Sequence, residues 1–203
     1  MAGAFAILCW ALLAFLTVGT DGIPPFQTAA VAFAVGATVG VILALAPRGR
    51  RSKPRRTPWA AIFFSSLGLF GYHALYFSAL KSAPAAEASL IAYLWPVLIV
   101  IGSALVPGER LRWFHILGAC AGFAGCALLI GSSGGLGFSS QFIFGYTLAF
   151  AAAFTWSGYS LGSRMFADVP TRFVTISCAV AAILSSAISL TFERWVHEPT
   201  LMQ

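Results

Sequence analysis

The sequence predicts an all-α integral membrane protein, a bundle of seven transmembrane helices. Three observations predict it. Seven apolar stretches, each about long enough to cross a bilayer, fill the chain almost end to end. The composition is 59% hydrophobic and only 9% charged, where a soluble domain carries about 25% charge. The basic residues gather between alternate stretches, as orientation in a membrane requires.

The first stretch is Ala2–Thr17. No basic residue precedes it in Met1–Leu8, so it reads as an uncleaved helix and not as a signal peptide. Pro25–Ala46 follows, then a polar loop holding Arg48, Arg50, Arg51, Lys53, Arg55 and Arg56. The positive-inside rule holds that loop on the cytoplasmic face. Trp59–Leu80 and Ala85–Val106 come next, and Arg110 and Arg112 follow them. Trp113–Ile130, Gln141–Gly162 and Pro170–Leu190 complete the set, with Arg164 and Arg172 between the last two. Only Lys81 and Arg194 fall on the opposite side. The amino terminus is therefore expected in the cytoplasm and Glu193–Gln203 outside. Trp59, Trp113 and Trp195 sit at stretch ends, where indole rings favour the lipid interface.

The net charge of +6 is accounted for by these loops, so no nucleic-acid partner is expected. Cys9, Cys120, Cys126 and Cys178 lie inside apolar stretches without ligand spacing, and read as neither disulfides nor a metal site. No metal cluster, nucleophile elbow or paired acid and base is legible, so the chain is not read as an enzyme and no cofactor is implied.

Sliding the chain along itself until Trp10 meets Trp156 also brings Ile23 onto Val169 and Pro24 onto Pro170. Five stretches separate the two copies, an odd number, so the second copy enters the membrane inverted. Inverted repeats are the architecture of secondary transporters, with substrate held near the midplane. Residues 1–131 then form a first five-helix repeat. Residues 141–203 supply two helices and an outward-facing tail of a second, about three helices short of a ten-helix design.

The candidate site lies among polar aromatics at mid-stretch: Trp10; Tyr72, His73 and Tyr76; Tyr93, Trp95 and Pro96; Trp156 and Tyr159. Tyr72 and Tyr76 are four apart and share a helix face. A hydroxyl or indole N–H in hydrocarbon needs a partner, so such residues turn toward the bundle interior or a wet cavity. Singly, each is adequate as interhelical glue. Together, aromatics from four stretches form a cage suited to a flat amphipathic solute. Pro96 cannot donate to the carbonyl of Ala92, which kinks the fourth stretch. His73 reads as a neutral structural histidine before a proton relay. Glu87, in the first turn of the fourth stretch, suits the helix dipole better than it suits attraction of a substrate ammonium. No Asp, Glu, Lys or Arg lies at mid-stretch, which favours a solute without net charge, such as a zwitterion.

Gly36 and Gly40, Gly118 and Gly122, and Gly158 and Gly162 each have the G-x-x-x-G spacing that lets helices approach closely, and offer faces for self-association. Gly68 and Gly71 are read as points where the third stretch flexes.

Ala85-Ala-Glu-Ala-Ser-Leu-Ile-Ala-Tyr-Leu-Trp-Pro96, followed by Gly108-Glu109-Arg110 and the glycine-rich fifth stretch, resembles the EamA domain of the drug/metabolite transporter superfamily. Tyr93-Leu-Trp-Pro96, with Gly22-Ile-Pro-Pro-Phe26 and the Trp10 stretch, is similar to the YddG group of aromatic amino acid exporters. The resemblance spans effectively the whole chain. It implies a ten-helix, multi-pass protein of the inner (plasma) membrane that exports amino acids or related metabolites by alternating access. It also implies that Trp10, Tyr72, Tyr76, Tyr93, Trp95 and Trp156 line a central cavity. The expected partners are a small-molecule substrate and the lipid bilayer. Two other readings stand beside it: a broad metabolite or drug exporter, and a non-transporting membrane scaffold subunit.

Overall fold

The computed structural model describes residues 23–45, 59–132, 136–166 and 172–194. The predicted first stretch, Trp10, Cys9, Trp195 and the basic loop lie outside them. The described residues are helical without strands: α1 (Pro25–Leu45), α2 (Trp59–Ser82), α3 (Ala85–Ala92), α4 (Trp95–Gly102), α5 (Trp113–Ser132), α6 (Ile143–Gly162) and α7 (Arg172–Phe192), with short 3₁₀ turns after α4 and on either side of α6. Five spans are long and apolar enough to cross a membrane: α1, α2, α3 with α4, α5, and Phe173–Phe192 of α7. The chain is a multi-pass membrane protein. The sixth predicted stretch forms α6, which falls outside that set of five because tyrosine, threonine, tryptophan and serine dilute its apolar character.

Packing is inside-out relative to a soluble protein. The buried positions are mostly Ala and Ser, among them Ala61, Ala88, Ala149, Ser65 and Ser177, while Leu45, Phe63, Phe144 and Phe192 face outward. Lipid tails are as apolar as leucine, so nothing drives large side chains inward, and small residues win the interfaces because they allow close approach.

Two antiparallel contacts build the bundle. In the first, α1 lies along α7, with Gly36 beside Cys178 and Gly40 tight against Thr175. A Cβ on Gly40 would come within 2.2 Å of the threonine hydroxyl. These are the second and seventh predicted stretches, which the internal similarity equates. In the second, α2 lies along α6, with Gly162 against Phe64 and Gly68 against Tyr159. The remaining glycine spacings behave differently. Gly118, Gly122 and Gly158 have nothing near an added Cβ. None of the residues of α5 is buried, so its G-x-x-x-G face packs against no described element.

At the end that the charges place outside, one carboxylate ties three helices. Pro25 opens α1 and has no N–H, leaving Phe26 and Gln27 as orphan donors of the first turn. Their amides donate to Glu193 Oε1 at 3.2 Å and Oε2 at 3.1 Å. Ser189 of α7 donates to Oε2 at 2.8 Å, and Lys81 of α2 to Oε1 at 3.1 Å. The Lys81 ammonium also stands 5.8 Å from the Phe26 ring centroid, within cation–π range.

Burial pushes the Glu193 carboxyl up, but the bonds from Ser189, Phe26 and Lys81 together with the lysine charge outweigh it and hold it below the usual carboxylate range. A lowered value in the folded state means that the tie stabilises above the ordinary range and is lost as pH falls through the lowered one. Glu193→Gln is therefore expected to lower the melting midpoint of the detergent-solubilised protein at neutral pH. The gap from wild type should close as the medium becomes acidic; an equal gap at every pH would refute the tie.

Candidate functional site

The fourth predicted stretch is two short helices. α3 ends at Ala92, Tyr93 and Leu94 form a turn, and α4 restarts at Trp95 with Pro96 in its first turn. Sequence reading placed a kink here, and the structure interrupts the hydrogen-bond ladder at Tyr93 and Leu94 while the span continues from Ala85 to Leu105. Pro96 offers no N–H to the Ala92 carbonyl, and the Leu94 amide closes a shorter loop onto the carbonyl of Ile91 at 3.1 Å. The buried Ser157 of α6 holds this break. Its hydroxyl lies 3.1 Å from the carbonyl of Trp95 and 2.7 Å from that of Ala153, sharing its proton between helices.

Around the break, rings from α2, α4 and α6 meet. Tyr72 and Tyr76 stack with centroids 5.8 Å apart and planes only 9° from parallel. The Tyr72 ring lies 4.9 Å from Trp156, which meets Trp95 edge-on at 6.4 Å and Tyr159 at 5.5 Å. Tyr93 stands at the turn, 46% exposed. Pro96 is half-buried beside Trp95. His73 touches Tyr72 but sits on the α1 side of α2, edge-on to Phe33 at 4.9 Å and to Phe77 at 5.7 Å. Its Nδ1 donates to the Leu69 carbonyl at 2.7 Å.

Serines complete the hydroxyl pairing, and sequence reading did not single them out. Ser89 of α3 bonds the Tyr76 hydroxyl at 3.0 Å, and Ser65 of α2 lies 3.3 Å from that of Tyr159. Each pairs with a tyrosine of another segment, which the sequence alone does not announce. Gly68 provides the hollow that receives the Tyr159 ring. Helix α2 runs unbroken through it.

On the cytoplasmic side as charge assigns it, Val106-Pro107-Gly108-Glu109 forms a tight turn. The Glu109 amide returns to the Val106 carbonyl at 3.2 Å, and Gly108 holds φ of 87°. That left-handed value explains a glycine in the Gly108-Glu109-Arg110 phrase. Glu109 then pairs with Arg164 at the end of α6, both half-exposed.

Comparison with known proteins identifies the family. The profile of the EamA-like transporter family matches residues 1–131. The chain belongs to that family. Among relatives, it is 48% identical over 192 residues to the aromatic amino acid exporter YddG of Ancylobacter novellus, covering 94% of this chain and 67% of that one. It is 25% identical over 173 residues to the aromatic amino acid exporter YddG of Salmonella typhimurium, covering 81% of this chain and 58% of the relative. A solved crystal structure superposes with a TM-score of 0.89 at 48% identity, covering 96% of this chain and 67% of that one. The EamA-like chain thus spans about two thirds of the length of the nearest of these and less of the other exporter.

The glycine geometry separates two neighbouring substitutions. A Cβ on Gly68 would lie 2.4 to 2.7 Å from the Tyr159 ring and its own Cβ, the stem of the side chain, which cannot swing aside. A Cβ on Gly71 would meet Thr155 at an ordinary 3.6 Å. Gly68→Ala is expected to cost about 1–3 kcal/mol through overpacking. Gly71→Ala is expected to be neutral or to gain up to about 1 kcal/mol from lower unfolded-state entropy. Denaturation midpoints in detergent check the pair, and equal effects would contradict the contact.

Proposed function

We propose that this chain is a carrier that exports aromatic or other neutral amino acids, by alternating access about the aromatic cluster. The observation that carries the reading is the convergence of Tyr72, Tyr76, Trp95, Trp156 and Tyr159, from three helices, on a break in a membrane span. Broken helices are where transporters bring backbone dipoles to a solute. The N-terminus of α4 carries the positive end of its helix dipole, suited to a carboxylate. The ring faces suit an ammonium and a flat side chain. The described helices carry no Asp, Glu, Lys or Arg beside these rings, so the site favours a solute whose charges cancel.

In this reading Trp10, Tyr93 and Pro96 complete the wall, and His73 orients Tyr72 from behind. Residues 1–131 and 141–203 act as two units of inverted orientation. The antiparallel pairing of α1 with α7 supports that, since these are the equated helices. The two exporters it resembles support amino acids over a broad metabolite range. The setting is the inner (plasma) membrane, and the protein performs no chemistry and carries no cofactor.

Counterflow of labelled phenylalanine in vesicles containing the purified chain tests the reading. Tyr76→Ala and Trp95→Ala each remove a ring worth about 1 kcal/mol beyond its buried area, so each is expected to weaken apparent affinity roughly 5- to 10-fold. A panel of alanine, threonine, phenylalanine and a hydrophobic cation separates amino acid from drug transport. Absence of any solute-specific flux would favour the scaffold.

A further inference from the structure

The polar groups of the aromatic cluster divide into two sets. One set is spent inside the protein. The Tyr76 hydroxyl pairs with Ser89 at 3.0 Å and the Tyr159 hydroxyl with Ser65 at 3.3 Å. The Ser157 hydroxyl is committed to the carbonyls of Trp95 and Ala153. The other set is Tyr72, Trp95 and Trp156. Trp156 stands between the other two, its ring 4.9 Å from that of Tyr72 and 6.4 Å from that of Trp95. The phenol hydroxyl and both indole N–H groups meet no hydrogen-bond acceptor among the described residues.

A phenol or indole N–H taken out of water ordinarily finds a partner. Three neighbouring groups without one, on three helices of a membrane bundle, are set for an acceptor that the solute brings. They are also open to it. Among the described residues, the side-chain polar atoms that are both sealed and unpaired belong to Ser66, Glu87 and Ser185. The chemistry of the set is one-sided, because an indole nitrogen only donates and the phenol can donate as well. An ammonium, with donors alone, finds little here to accept it. A carboxylate is acceptor-only, with two oxygens and about four lone-pair sites, enough for all three donors. Its charge makes each of those bonds stronger than one to a neutral carbonyl. Trp95 is also the first residue of α4, so an anion beside it meets the positive end of that half-helix.

We infer that the Tyr72 hydroxyl and the Nε1–H groups of Trp95 and Trp156 form a carboxylate subsite. The hydroxyls of Tyr76 and Tyr159, already paired, leave only their ring faces for the rest of the solute. This assignment rests on the transport reading and sharpens it. The site selects an aromatic solute by its carboxylate, and an aromatic amine lacking one is a poor ligand.

Equilibrium binding of phenylalanine, 3-phenylpropanoate and phenethylamine to the detergent-solubilised chain tests the subsite without reference to transport. Wild type is expected to bind both carboxylates about tenfold or more tighter than the amine. Tyr72→Phe keeps the ring and removes one donor; Trp156→Phe keeps an aromatic face and removes another. Each is expected to weaken both carboxylates about tenfold and the amine less than about twofold. The ligand-free melting midpoint gives a second readout. Tyr76→Phe breaks the bond to Ser89 and should lower it, whereas Tyr72→Phe breaks none and should not. Equal weakening of all three ligands by Tyr72→Phe, or a midpoint lowered as far as in Tyr76→Phe, overturns the subsite. Failure of wild type to bind either carboxylate does so too. Phenylalanine counterflow decides the carrier separately. If the carboxylate preference is lost in Tyr72→Phe and wild type shows no flux, the subsite stands and the carrier reading falls. If flux occurs and Tyr72→Phe leaves its apparent affinity unaltered, the carrier stands and the subsite falls.

Discussion

A lipid-embedded backbone group has no water to fall back on, and this structure is organised around prolines that disturb that accounting. Pro25, Pro84 and Pro96 each stand at a helix start and each withholds a donor. The three starts are resolved by different means. At α1, the deficit is on the other side: Phe26 and Gln27 have spare amides, and a carboxylate from α7 takes both. At α3, proline leaves a first-turn glutamate without its usual backbone partner, and the side chain seeks one in another segment. At α4, proline interrupts the ladder of the span, and Ser157 of α6 donates to the Trp95 carbonyl there. At α1 and α3 the spare group is met by a distant residue, so these helix termini become points where helices are fastened together.

Close approach of α2 and α6 does the complementary work. The rings that meet at the break are large, yet the backbones between them are separated mainly by Gly68, Gly162, Ser65 and Ser157. Small residues let the helices near enough for their large neighbours to touch each other across the interface instead of pointing into lipid. Gly68 shows the logic at one position: without a Cβ it admits Tyr159, and Ser65, one turn earlier, meets the hydroxyl of that same ring.

These two themes explain what could be read from the residues. The spans were legible because lipid imposes length and composition locally: α1 and α5 begin at the expected residues and end within two of the expected ones. The ring cluster was legible because polar aromatics inside apolar runs have few places to go. Other features depend on partners far along the chain. Nothing near Phe26 announces that Glu193, 167 residues away, caps its helix. A G-x-x-x-G spacing states that a helix can be approached but not by what, which is why Gly40 is tightly covered and Gly118 and Gly122 are not. In the fourth span Pro96 signals the kink, but not that the interruption starts two residues earlier, at the turn of Tyr93 and Leu94.

Half-helix α3 joins these themes physically. It is eight residues long, about 12 Å at the rise of an α-helix, and too short to bend. Its sides are set by the buried Ala88 and Ala92, and Ala88 packs with Ala79, Tyr146 and Ala149 in a tight cluster. Such a rod can tilt or slide but cannot absorb displacement internally, because packed interfaces are bistable and not elastic. Its outer end hangs on Glu87 and Gly137; its inner end turns into Tyr93 and Trp95, with Ser89 holding the Tyr76 hydroxyl between.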